Sequence, residues 1–247
     1  VTLARLIATA GIVLLMMAAS RAAALPVLVL NDTNAPPYTT ANGEGFVDRV
    51  AAEAFRRAGA GLRLVRLPAE RGLLNANRGI IDGELTRIAG LEARYPNLVR
   101  VPEKLLDWNF SAFAKDATLP ASWEAIRQRP VAHIRGWIIY ERELAGAPHV
   151  LAVKDHEQLF RLLMLDRVEV VLYERWMGQD FTARNGMAGI HALTPPLARK
   201  EMYIYLHKRH AALVPRLAEA LRAIRAEGLY ERWYREIVLA HTEAAAQ

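Results

Sequence analysis

VLVLNDTNAPPYTTANGEGFVDRVAAEAFRRAG, residues 27–59, is a strand, a loop and a helix in that order. Val27 to Leu30 form a short apolar run, and Asn31 to Tyr38 have the polar and proline-rich chemistry of a loop. Pro36 and Pro37 donate no backbone hydrogen bond and hold the chain extended into Tyr38. From Gly45 the period changes. Phe46, Val50, Ala54 and Ala58 recur every four residues, the spacing of one helix face, and Gly59 supplies the stop.

The same alternation continues downstream. Leu62 to Leu67 reads as a second strand, Pro68 opens a helix near Glu70 to Arg78, Gly79 closes it, and Ile80-Ile81 is predicted to start a third strand. Strand, helix, strand, helix, strand with short connections implies a parallel sheet with helices on its faces. A second unit comes after it. Trp123 to Ile126 reads as a short helix, and Val131 to Ile134 as a strand ending at Arg135-Gly136. Next come a helix from His156 to Leu165 with Leu159, Leu162 and Leu163 inward, and a strand from Val168 to Leu172. Met202 to Leu206 forms a late strand, and Leu213, Leu217, Leu221 and Ile224 line one face of a helix that stops at Gly228. The Ala-rich tail after His241 is predicted to fray.

The 247 residues suffice for one large or two small domains, and 53% apolar with 23% charged residues is a globular composition. The formal charge of +6 comes without any run of like charges, which argues against a nucleic-acid groove. No cysteine is present, so disulfide scaffolds, cysteine zinc sites, iron–sulfur clusters and thiol nucleophiles are excluded. Arg5, the apolar run Leu6 to Ala19 and the small residues Ala22-Ala23-Ala24 have the three-part pattern of a secretory signal peptide over residues 1–24. The expectation is export to the periplasm with cleavage after Ala24.

Several chemistries lack their residues. Beyond the signal segment the serines are Ser111 and Ser122, neither in G-x-S-x-G. Without a Walker loop or G-x-G-x-x-G there is no usual cradle for nucleotide phosphates, and no cofactor is expected. His207 and His210 are spaced to share a metal, but no third ligand is in sequence reach, so the reading is a solvated strand end and no metal. Glu84 and Glu174 are the carboxylates of interest, because each ends or follows a strand where α/β folds place ligands.

Four segments together resemble the extracellular solute-binding protein family 3, the periplasmic amino-acid-binding proteins of ABC importers. They are Pro36-Pro37-Tyr38 with Gly45-Phe46-Val47-Asp48, Ile81-Asp82-Gly83 with Thr86 and Glu92-Ala93-Arg94, Arg167 to Glu174, and Ala220-Leu221 with Arg225 to Tyr230. The resemblance implies an α/β, periplasmic-binding-protein-like fold of two lobes with mixed or parallel sheets, joined by two crossing strands near 109–115 and 202–207. Residues 25–110 and a C-terminal return over 205–247 would form lobe one, and 111–204 lobe two with the hinge strands.

It also implies a site. Tyr38 would be the loop aromatic that stacks on the ligand, and Arg87 or Arg94 the bidentate clamp on its carboxylate. Glu174 would take the ligand ammonium, and the predicted ligand-binding set is completed by Glu84, Trp108, Arg135 and Trp137. Gly136-Trp137-Ile138 stands where the family presents small hydroxyl residues, which favours a larger or flatter ligand. Structural roles compete for each position: Tyr38 as a plug of the cleft, Arg87 as a partner of Glu84, Trp137 as core of lobe two. The function implied is a monomeric exported receptor that closes on a small polar ligand for an importer permease or a sensor. The alternative is a prephenate-type dehydratase on the same fold, with Glu84 as an acid beside Arg87.

Overall fold

The computed structural model describes residues 25–32 and 35–240. The signal segment expected over 1–24 and the Ala-rich tail lie outside the described residues. Strand β1 (Val27–Asn31) is followed by α1 (Phe46–Arg57), β2 (Gly61–Val65), α2 (Ala69–Asn77) and β3 (Gly83–Ile88), and both β2 and β3 pair with β1 in parallel. On α1 the predicted face is buried: Phe46, Val50 and Ala54 point inward together with Val47, Ala51 and Phe55. Asp48 caps the helix start by accepting from the Gly45 N–H at 3.0 Å and the Thr40 N–H at 2.8 Å. Gly45 is obligatory for packing, since a Cβ there would lie 2.3 Å from the Tyr38 carbonyl oxygen.

The third strand begins later than expected. Ile80 and Ile81 lie in the turn before it, with Ile80 64% exposed. Asp82 fixes the turn: its carboxylate accepts from the Val29 N–H at 2.8 Å and pairs with the Arg209 guanidinium at 2.5 Å. A polar anchor here outweighs the strand propensity of two isoleucines.

The chain continues through β4 (Leu98–Arg100) and β5 (Leu106–Ala114) into α3 (Trp123–Arg127), β6 (Val131–Ile134), α4 (Ile138–Glu143), β7 (Val150–Val153) and α5 (His156–Met164). After these come β8 (Val170–Glu174), α6 (Arg175–Arg184), β9 (His191–Ala192), β10 (Ala198–His207), α7 (Val214–Ala226) and α8 (Leu229–Trp233), which runs on into a π-helical turn over Tyr234–Leu239. On α5, Leu159 and Leu163 are buried and Leu162 half-buried. Among the described residues no helix is long and apolar enough to cross a membrane.

The strand order is β2-β1-β3-β10-β5-β8-β6-β7, a single mixed sheet with two parallel halves. The antiparallel strands β5 and β10 join them. β10 pairs with β3 over Met202 to Leu206 and with β5 over Ala198 to Met202, while β5 pairs with β8 over Phe110 to Ala114. The two crossings therefore meet at 106–110 and 198–202, upstream of the 109–115 and 202–207 implied by the resemblance. Arg199, Lys200 and Glu201 make the start of β10 polar, so a search for apolar runs passes over it. One buried apolar cluster extends through both halves, and a smaller one around Tyr95, Leu98 and Tyr205 packs beneath α2.

Candidate functional site

The loop between β1 and α1 places Tyr38 at the junction of the two halves. Thr39 fixes that loop, its hydroxyl donating to Asp32 at 2.6 Å and accepting from the Ala35 N–H at 2.9 Å. The Tyr38 carbonyl accepts from the Val47 N–H at 2.7 Å, tying the loop to the first turn of α1. Tyr38 is 2% exposed, and its hydroxyl donates to Glu174 Oε1 at 3.1 Å.

Glu174 ends β8 and caps α6. Its Oε2 accepts from the N–H groups of Trp176 at 2.8 Å and Met177 at 3.0 Å, and its Oε1 also accepts from the Asn109 N–H at 3.1 Å. The carboxyl is fully buried, and burial pushes it up to about 7 against the pull of these donors. Burial and the neighbouring Glu174 carboxylate push the Tyr38 phenol well above its ordinary range. Tyr38 comes from the first half and Glu174 from the second, so this bond spans the two.

Glu84 and Arg87 meet on β3, with Arg87 Nη2 2.5 Å from Glu84 Oε2. Asn31 Nδ2 donates to both Glu84 oxygens at 3.3 and 3.2 Å, and Asn31 Oδ1 accepts from the Leu67 N–H at 2.8 Å. Gly72 of α2 presses on this cluster, because a Cβ there would lie 2.1 Å from Asn31 Nδ2. Burial raises the Glu84 carboxyl to about 7, opposed first by the Arg87 charge. The pairing named as the structural role of Arg87 is thus present. Its buried Nε has no partner among the described residues.

The other predicted cations lie outside this cluster. Arg94 is 73% exposed and pairs with Glu70 at 3.2 Å. Arg135 is exposed at the end of β6 and reaches the Ala152 carbonyl at 3.4 Å. Trp137 caps α4 and stacks on Tyr173 at 5.1 Å, Trp108 at 5.6 Å and Tyr140 at 5.6 Å between ring centres. It packs against the core while half-buried, so Trp108 and Trp137 form an aromatic wall where β5 meets the second half. His210 Nε2 lies 2.6 Å from Asp82 Oδ1, and among the described residues no His, Cys, Asp or Glu cluster is suited to a metal.

Sequence reasoning missed one region. A cavity of about 380 Å³ opens beside the crossing strands, walled by Asn109, Arg175, Trp176, Arg199, Tyr230 and Tyr234. These come from four separate segments. The only local signal was Arg175-Trp176 directly after Glu174.

Two α/β halves joined by two antiparallel crossings, with a buried polar bond between them, can be set beside solved structures. An amino-acid ABC transporter substrate-binding protein, AbpA from Streptococcus pneumoniae, bound to L-arginine, superposes with a TM-score of 0.69 at 14% identity, over 90% of this chain and 96% of that one. This is the periplasmic-binding-protein fold. A histidine kinase sensor domain with similarity to periplasmic binding proteins shares it, with a TM-score of 0.71 at 19% identity over 87% of this chain and 96% of that one. The fold implied by the sequence resemblance is therefore borne out. An uncharacterised protein of Shewanella oneidensis is 25% identical over 197 residues, covering 76% of this chain and 74% of its own. No family profile matches the sequence.

Proposed function

We propose that this chain is an exported receptor that closes on a small, polar, carboxylate-bearing solute in the periplasm and delivers it to an importer permease or a sensor. Residues 25–110 with 205–247 act as one lobe and 111–204 as the other, the molecule working as a monomer. The observation that carries the reading is the Tyr38–Glu174 bond, a buried side-chain hydrogen bond between the halves that β5 and β10 join. Such a contact costs little to exchange for ligand groups of the same chemistry. A ligand ammonium replaces the Tyr38 hydroxyl on Glu174, Arg87 turns from Glu84 to the ligand carboxylate, and the Trp108–Trp137 wall receives a flat body. Bending of the two crossings opens and closes the cleft.

The test is mass spectrometry of small molecules released on denaturing the purified protein, followed by solution scattering with the compound found. A retained carboxylate that shrinks the radius of gyration is the expected result. If a saturating compound leaves the radius unchanged, the closure reading fails.

A second reading rests on Glu84, an acid raised to about 7 beside a guanidinium that could hold a substrate carboxylate. It makes the chain a dehydratase of prephenate-like acids. Turnover of prephenate that disappears in Glu84→Gln supports it, and absence of turnover in the parent protein removes it.

A further inference from the structure

Side chains alternate across a strand, and on β5 the alternation separates two environments. Trp108 and Phe110 both touch Trp137, whereas Asp107 and Asn109 face the cavity of about 380 Å³. The cavity is therefore a different place from the Trp108–Trp137 wall, although it adjoins Glu174, which accepts from the backbone N–H groups of its lining residues Asn109 and Trp176. Its volume lies in the range of small-molecule sites.

The charges there are unbalanced. Arg175 and Arg199 both line the cavity, and neither makes an ion pair among the described residues. Arg175 reaches the Leu193 carbonyl at 3.4 Å and lies 5.7 Å from the Trp176 ring centre, and Arg199 spends its Nε on Asn109 Oδ1 at 3.1 Å. The one acid in the lining, Asp107, is held by Lys104 at 2.9 Å. Two guanidiniums, Arg175 half-buried and Arg199 at the exposed start of β10, share this small space and repel each other unless an anion joins them. A third donor is also idle: the Trp176 indole N–H is buried without a partner. The remaining walls, Tyr230, Tyr234 and the Trp176 ring, offer flat aromatic surface, and Trp176 and Tyr234 meet edge-on at 6.1 Å between centres.

We propose that this cavity is a binding site for a small ring-bearing organic carboxylate. Its carboxylate would bridge the planar forks of Arg175 and Arg199 and accept from the Trp176 indole, while its ring lies among the tyrosines.

Titration of the full chain with benzoate, read by the indole N–H resonances in a nitrogen-correlated NMR spectrum, tests this. The Trp176 signal is assigned by its loss in Trp176→Phe. Expected is a saturable shift of that signal with benzoate, and little with benzamide, acetate or inorganic phosphate. Arg175→Gln and Arg199→Gln should each weaken benzoate at least tenfold, while Arg56→Gln on the exposed face of α1 changes nothing. If a Gln variant does not fold, Arg199→Lys carries the test, keeping charge but losing the fork, with an expected loss of at least fivefold. No saturation up to about 10 mM benzoate, equal binding of benzamide or phosphate, or parental affinity in the folded arginine variants would each overturn the proposal.

Discussion

The Tyr38 hydroxyl and the Glu174 carboxylate, 136 positions apart in the chain, meet at 3.1 Å with both side chains buried. Glu174 is also the cap of α6, so a group that bonds across the halves is the same one that satisfies the first N–H groups of a helix. Ionisation, helix capping and contact between the halves are therefore coupled through one carboxyl.

Tyr38→Phe keeps the ring and deletes this hydrogen bond between the halves. A hydrogen bond of this kind is worth about 1–2 kcal/mol net. Denaturant titration should show a loss of that size, with an unchanged slope. A variant as stable as its parent would mean that the halves do not hold this bond in solution.

The Glu174 carboxyl, ordinarily near 4.5, is raised to about 7 in the fold. A raised carboxyl contributes its stability fully below the unfolded value and loses it as pH climbs through the folded one. Thermal midpoints should therefore fall as pH rises from about 4.5 to about 7. Glu174→Gln should flatten that fall but leave part of it, because Glu84 is raised in the same direction. An equal slope in parent and variant would show that Glu174 does not titrate there.

Arg87 and Arg94 separate as clamps once a solute is known. Arg87 is the inner of the two and Arg94 is mostly exposed. Calorimetry should find Arg87→Lys at least tenfold weaker, about 1.4 kcal/mol, and Arg94→Lys close to the parent. If both bind as the parent does, the ligand does not use a carboxylate clamp. Arg87→Ala should also cost about 3–5 kcal/mol of stability, since it strands a buried acid.

Gly45→Ala would drive a methyl to 2.3 Å from the Tyr38 carbonyl oxygen. The nearest atoms that methyl meets are all backbone, so relief requires moving the Tyr38 loop. A loss of about 1–3 kcal/mol is expected, and in a double-mutant cycle with Tyr38→Phe the two losses should fall short of additive. Full additivity would mean that the loop tolerates the methyl in place.

Much of the fold was legible because its signals are periodic and local. Phe46, Val50 and Ala54 announce α1, and Leu217, Leu221 and Ile224 announce α7, and all six are buried. The Glu84–Arg87 pair was also named from the sequence, as the competing structural role of Arg87. Ile80 and Ile81 misled because the turn obeys Asp82. The start of β10 was hidden by its polar residues, whose partners on β5 lie far back in the chain. The cavity was invisible for the same reason: Asn109, Trp176, Arg199 and Tyr234 share no local pattern, and only the fold collects them.

The pairing of β3 with β10 sets the order of synthesis against the order of assembly. Gly83 to Ile88 leaves the ribosome long before Met202 to Leu206, and α7 emerges later still to cover α1. Until then the nascent first half carries an open strand edge and an uncovered apolar helix face, both invitations to mispairing. The second half, whose β6, β7 and β8 pair among themselves, has no such wait. The half translated first is thus the half completed last, and a holding chaperone would have most to protect there.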